Sequence, residues 1–418
     1  MGLTKRSTDY RSFSYLPGHP VHEYDLAPEL DRTPSHPVPL DAEQEARAAR
    51  LLDELVLISA HEHLGIFPDD VNETPAYARW GRMATAFEGL AAARWDCVFD
   101  NLLDGICQIH SQGGWKWSEV IHDLGMRLCD IAQQDFVIHC RSVADIHHAH
   151  RTGRLAWAAS MEGAAMIENE LDRIDLLFGL GVRALGITYS ESNALGSGLR
   201  EPRDGGLTVF GRQAVERMNR VGMLIDVSHC GDQTALDTIE VSEHPIFMSH
   251  IGARALWDSN RLAPDEVLDA CAAKGGVIGI EAAPHTTLSS DHPRHSIDSV
   301  MDHFDYMVRR LGIDHVTFGP DTVYGDHVGL HDAYAASLSI KQSRAGSASD
   351  EGGAPAKPTH EKVEYVSGLE NPTEGSTNLV RAMIQRGYSD EDIAKAMGGN
   401  TLRVASAVWP GPTEPDAS

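Results

Sequence analysis

Eight short apolar runs recur along the chain, each closed by glycine or by polar turn residues: LVLIS (55–59), FVIHC (136–140), LAWAAS (155–160), VRALGIT (182–188), MLIDVS (223–228), PIFMS (245–249), GVIGIE (276–281) and HVTFG (315–319). Stretches of helical periodicity separate most of them, among them NELDRIDLLFGLG, TVFGRQAVERMNRVG, PDEVLDACAAKGG and SIDSVMDHFDYMVRRLG. Strands that are apolar almost throughout and alternate with amphipathic helices describe a parallel sheet covered on its outer face. Eight of them predict an α/β fold of the (β/α)8 TIM-barrel type in one domain, with a doubly wound open sheet as the alternative.

The pattern also sets the boundaries. Residues 1–40 are polar and punctuated by proline, which predicts an extended N-terminal arm. DAEQEARAARLLDEL then predicts a helix with Asp41 at its N-cap, opening a barrel domain over 41–410. A segment inserted after the first strand, 64–135, carries Trp80, Trp95, Trp115 and Trp117 and reads either as a cap over the barrel mouth or as a small helical subdomain. Residues 343–360, rich in Gly, Ala, Ser and Pro, read as a flexible loop. The C-terminal stretch predicts two helices, the second capped by Ser389, with Glu391 and Asp392 in its first turn.

Composition narrows the function. With 418 residues, 42% of them hydrophobic, the chain can bury a large core. Its net charge of −26 argues against nucleic acid or an anionic membrane surface as partner. No run approaches the ~18 apolar residues of a membrane span, and the N-terminus has no apolar signal region, which predicts a cytoplasmic protein. The six cysteines form no C-x-x-C pair and read as buried thiols.

The chemistry lies at the carboxyl ends of the strands. His61 and His63 close the first run, and side chains at i and i+2 of an extended chain face the same way while Glu62 faces the other. Glu162 in SMEGA comes after the third run, His229 after the fifth, His250 after the sixth, and Asp321 in FGPD after the eighth. Parallel strands bring their carboxyl ends to one face, where barrels carry their active sites. A single strand-end histidine is more often structural; four of them with two carboxylates make a metal site of six candidate ligands: His61, His63, Glu162, His229, His250 and Asp321. Imidazole and carboxylate donors suit zinc, and also iron or manganese. The set suffices for two ions, His61 and His63 holding one, His229 and His250 the other, with Glu162 bridging. A water shared by two cations loses a proton near neutral pH, and Asp321 is placed to move that proton. With a single ion, two of the histidines would instead stand behind the ligands.

Between residues 50 and 408 the chain resembles the membrane (renal) dipeptidase family of the amidohydrolase superfamily. The resemblance rests on SMEGA, GLTVFGRQAVERMNRVGMLIDVSH, PIFMSHIGARALWDSNRLAPDEVL, FGPD and GLENPTE…GGNTLRV. It implies a binuclear zinc (β/α)8 barrel that hydrolyses dipeptides, with Glu162 bridging, His229 and His250 on the second metal and Asp321 as acid/base. It also implies that Arg261 binds a small-molecule substrate by its free carboxylate, a contact suited to a guanidinium fork, and that the protein is a homodimer or higher homo-oligomer. Two positions depart from the family pattern. His63 stands where the family has aspartate, which makes the site one charge more positive. Tyr189 stands where the family has a carbonyl-polarising histidine, and its phenol can still donate to an oxyanion. The leading expectation is therefore a binuclear metal-dependent hydrolase acting on a dipeptide or a dipeptide-like, carboxylate-bearing amide. The alternative substrates are a non-peptide amide, a cyclic amide or a lactone, including aromatic ones. A binding protein that kept a decayed site ranks last, because all six candidate ligands are chemically competent.

Overall fold

The computed structural model describes residues 8–78, 83–102, 115–325, 327–329 and 364–410. Its centre is a ring of eight parallel strands: β1 (Ile58–His63), β2 (Cys97–Asn101), β3 (Leu155–Met161), β4 (Val182–Gly186), β5 (Leu224–Asp226), β6 (Phe247–Ile251), β7 (Val277–Ile280) and β8 (Val316–Phe318). Strands β1 to β5 pair in chain order, and β6 to β8 pair in the same sense. Side chains join the two runs: Asp226 at the end of β5 accepts the backbone N–H of Ser249 in β6 at 3.1 Å, and the Ser249 hydroxyl as well. On the other side the chain leaving β8 continues into Thr322–Val323, which pairs in parallel with Glu62–His63 of β1. The strands are buried along their whole length, as their near-continuous apolar character requires.

The helices outside the ring start and stop where the sequence marks them. Asp41 caps Ala42–Glu54 in a capping box with Gln44, and Ser389 caps Asp390–Ala394 in the same way. Thr208 caps Val209–Val221, which ends on Gly222 in the left-handed region at φ 79°. The arm packs onto the body. Phe13 is buried, Asp130 accepts from Tyr10 Oη, Ser12 Oγ and Phe13 N, and Arg32 donates to the carbonyls of Val323 and Tyr324. Cys97, Cys129, Cys140, Cys230 and Cys271 are free thiols. Among the described residues no helix is long and apolar enough to cross a membrane.

The second strand is not where the apolar pattern puts it. FVIHC supplies only Val137–His139, which pairs with the first half of β3, and β2 comes from inside 64–135. CVFDN contains a mere three apolar residues, so its run is easily passed over. Its polar end is satisfied in the interior: the Asp100 carboxylate accepts from Leu64 N at 3.2 Å and from Trp157 Nε1 at 2.7 Å. A buried polar group with its hydrogen bonds made costs little, and the strand can therefore sit between β1 and β3. Residues 343–360 and Trp80 lie outside the described residues.

Candidate metal centre and active site

All eight strands end at one mouth, and each brings a polar side chain to it. His61 and His63 lie on β1, Asn101 ends β2, Glu162 follows β3, Tyr189 follows β4 and His229 follows β5. His250 lies on β6, Glu281 follows β7 and Asp321 follows β8. The alternation along β1 holds: His61 and His63 face the same way with their Nε2 atoms 3.3 Å apart. Glu62 turns to the other side, accepting from Ser59 Oγ at 2.9 Å and from Thr322 N at 3.0 Å.

Glu162 Oε1 is the centre of the cluster. The Nε2 atoms of His61, His229, His250 and His63 lie 3.1, 3.4, 3.5 and 3.9 Å from it. His229 and His250 approach each other to 2.9 Å through Nε2. Asp321 Oδ1 lies 2.7 Å from His63 Nε2 and 3.3 Å from His61 Nε2. All six candidate ligands are buried and come together. Two glycines permit the approach of the strands that carry them. A Cβ on Gly186 would sit 1.9 Å from the Glu162 carbonyl, and one on Gly319 would sit 2.1 Å from that of Ser249.

Charge in the cluster follows from burial set against neighbours. Burial alone would raise the Glu162 carboxyl, but His229 and His61 hold it well below the usual carboxylate range; Asp321 is held down in the same way by His61 and His63. Burial pushes His250 well down and lowers His229, with the Arg261 guanidinium acting in the same direction on both. His61 is pulled down by burial, yet Asp321 and Glu162 outweigh this and lift it to about 9. The two carboxylates are thus anionic and one imidazole pair is neutral, the states in which these groups bind cations.

The back of the cluster is organised by one hydroxyl. Ser249 Oγ lies 2.7 Å from His250 Nδ1 and 3.1 Å from His61 Nδ1, and it gives its own hydrogen to Asp226. A lone pair is left to accept from His250, which puts the His250 proton on Nδ1 and turns its Nε2 lone pair toward Glu162. His61 Nδ1 is shared with Asn101 Nδ2 at 2.6 Å. A lone pair aimed at a carboxylate is repelled unless a cation lies between them. Glu162 Oε2 is also buried and has no hydrogen-bond partner among the described residues. Geometry and donor chemistry both fit divalent metal.

At the rim, the Tyr189 ring lies over His229, with centroids 4.4 Å apart and planes tilted by 30°. Trp115, from the segment after β2, packs against Tyr189 at 5.8 Å. Arg261 lies in the loop after β6, where its Nη1 donates to Ser228 O at 3.2 Å. Its other nitrogen, Nη2, makes a close ion pair with Glu281 Oε2, so a carboxylate of the protein already faces the guanidinium.

Asn101, Asp226, Ser249 and Glu281 were not among the residues that the sequence singled out. Glu281 carries the signal that revealed Glu162, a carboxylate closing an apolar run. Asn101 was hidden with its strand. Asp226 and Ser249 lie inside apolar runs, where a polar residue marks either a bend or a buried hydrogen-bond partner.

Comparison with known proteins gives the fold and the family. Residues 103–341 match the model of the membrane dipeptidase family, peptidase family M19. The chain is 29% identical over 309 residues to the dipeptidase tcpJ of Claviceps purpurea, covering 71% of this chain and 64% of the relative. It is 30% identical over 278 residues to the dipeptidase aclJ of Aspergillus oryzae, covering 66% and 57%. The alignments thus span less than two thirds of these curated relatives. Among solved structures, an amidohydrolase from Pseudomonas aeruginosa superposes with a TM-score of 0.68 at 24% identity, covering 87% of this chain and 99% of the other. A metallo peptidase from Rhodobacter sphaeroides, liganded with a phosphinate mimic of the dipeptide L-Ala-D-Ala, superposes with a TM-score of 0.64 at 19% identity, covering 85% and 99%. The fold of these structures is the (β/α)8 fold described above, and by its sequence match the chain belongs to the membrane dipeptidase family, peptidase family M19.

Proposed function

We propose that the protein is a metal-dependent hydrolase that cleaves the amide bond of a dipeptide or dipeptide-like small molecule. The observation that carries this reading is Glu162 Oε1, surrounded by four imidazole nitrogens at 3.1 to 3.9 Å. His61 and His63 would hold one divalent cation and His229 and His250 a second, with Glu162 common to both; zinc suits these donors. When bound, such ions supply Lewis acidity and make water acidic enough to serve as nucleophile near neutral pH. Asp321 takes the proton of the attacking water at Oδ1 and returns it to the amide nitrogen as the C–N bond breaks. Tyr189 donates its phenolic proton in a hydrogen bond to the oxygen that gains charge. The names of the two fungal relatives support a dipeptide-like substrate.

A preparation active on such amides is expected to contain two divalent ions per chain by elemental analysis. Full activity with one ion or none would reject the binuclear reading. The Ser249 hydroxyl provides a second test at the rear of the site. Ser249→Ala removes the hydroxyl that lies 2.7 Å from His250 Nδ1 and 3.1 Å from His61 Nδ1. Metal affinity, measured by competition with a chelator, is expected to fall by about 10- to 100-fold, and an unchanged affinity would show that the rings are oriented by other contacts.

A further inference from the structure

We infer that this active site selects a substrate whose group facing Arg261 is an uncharged carbonyl, a carboxamide or cyclic amide above all, because Glu281 already supplies the anion there. The inference rests on the hydrolase reading and gives that reading a substrate class. It changes the expectation, drawn from family resemblance, that Arg261 grips a free carboxylate.

Nη1 of the guanidinium donates to the Ser228 carbonyl, and Nη2 lies in ion-pair contact with the Glu281 carboxylate without a hydrogen bond between them. Glu281 is fully buried, while the Arg261 side chain keeps 16% of its surface exposed. The arginine therefore reaches the mouth, and the glutamate behind it has no route to water. Glu281 follows β7 directly, and its carboxylate lies in one group with the ligand atoms of His250 and Asp321, all within 4.8 Å of each other. The ion pair is thus part of the wall of the reaction chamber.

Consider a dipeptide arriving with a free carboxylate at Arg261. One guanidinium would then serve two carboxylates, and the buried one could neither move away nor be solvated. Separating a buried charge from its partner is among the most unfavourable changes an interior can undergo. A primary carboxamide meets no such conflict. Its oxygen can accept from the guanidinium, and being uncharged it brings no second anion up to the buried Glu281. Rejection of a wrongly charged group by a built-in like charge is a common source of specificity.

The test uses the full chain loaded with zinc and two probes, a phosphinate mimic of Ala-Ala as the free acid and as its C-terminal primary carboxamide. Calorimetry is expected to show the wild type binding the carboxamide at least about 10-fold more tightly, and Glu281→Gln shifting that ratio at least about 10-fold toward the acid with its zinc content unchanged. Tighter binding of the acid by the wild type overturns the inference, as does an unaltered ratio in Glu281→Gln or no binding of either probe at millimolar concentration. Loss of zinc in Glu281→Gln overturns it too, since Glu281 would then be a metal ligand rather than the partner of Arg261. The wild-type comparison stands even where the variant fails to fold. Release of free alanine from Ala-Ala and from its carboxamide is measured in parallel. If neither is cleaved while the probes still discriminate, the hydrolase reading fails and the selectivity inference survives.

Discussion

Glu162→Gln is expected to lose both metals and all measurable hydrolysis in one step. The carboxylate is the one anion that all four imidazoles share: His61, His229, His250 and His63 lie 3.1, 3.4, 3.5 and 3.9 Å from the same oxygen. It is kept ionised despite complete burial by contacts with His229 and His61. An amide of the same shape brings no charge, and one of its two ends presents N–H groups where lone pairs are needed. Two cations crowded between neutral rings would then be held by Asp321 alone among the anionic ligands. Without them the nucleophile reverts to ordinary water and the rate advantage of metal activation, several powers of ten, disappears. Metal content by elemental analysis and turnover of a dipeptide are measured on the same sample. Two ions retained at full occupancy in the variant would show that Glu162 is not the shared ligand.

Much of this arrangement was legible in the sequence because a barrel converts a one-dimensional regularity into a three-dimensional one. Parallel strands all end on the same face, so any polar residue that closes an apolar run belongs to the mouth. His61, His63, Glu162, His229, His250 and Asp321 follow that rule and are found together. Glu281 follows it too, yet its importance could not be read from the chain. Its effect depends on which of the nearby charges it neutralises, and its partner Arg261 lies on a loop whose path no periodicity describes. Asn101 was lost for a different reason: CVFDN is a strand by virtue of its neighbours, with Asp100 satisfied by Trp157 and Leu64, and not by its own pattern. Propensity is a weak guide wherever tertiary contacts supply the missing hydrogen bonds. The Ser249 relay between Asp226, His250 and His61 joins three separate strands, and nothing in local sequence registers such a convergence.

The departures at His63 and Tyr189 take on meaning beside Glu281. Family resemblance implies an aspartate at the position of His63; this chain has an imidazole there, and Glu281 sets a carboxylate at the wall beside Arg261. The position occupied by the substrate's end group then becomes neutral, and the position of the metals more electrophilic. A phenol at 189, covered by Trp115, adds an apolar face to that same mouth. On the selectivity inferred above, each of these features would favour uncharged, less hydrophilic amides over free dipeptides.

Asp321→Asn separates the two roles open to that carboxylate. The residue occupies the left-handed region at φ 56°, which asparagine tolerates as well as aspartate does, and its backbone N–H is fixed to the His61 carbonyl at 3.1 Å. The substitution therefore leaves the turn intact and alters the side chain alone. As a proton carrier, Asp321 acts in the transition state, so its loss is expected to lower kcat by about 10²- to 10⁴-fold with little change in KM or in metal content. As a ligand, 2.7 Å from His63 Nε2, it would instead take the ion held by His61 and His63 away with it. Measuring kcat, KM and bound metal on one preparation distinguishes these outcomes. Near wild-type turnover with both ions in place would rule out both roles and leave the left-handed turn after β8 as a purely structural feature. The expected result is the first, because the four imidazoles and Glu162 already give each ion three protein donors, and the reaction still needs a group to carry its proton from water to the leaving nitrogen.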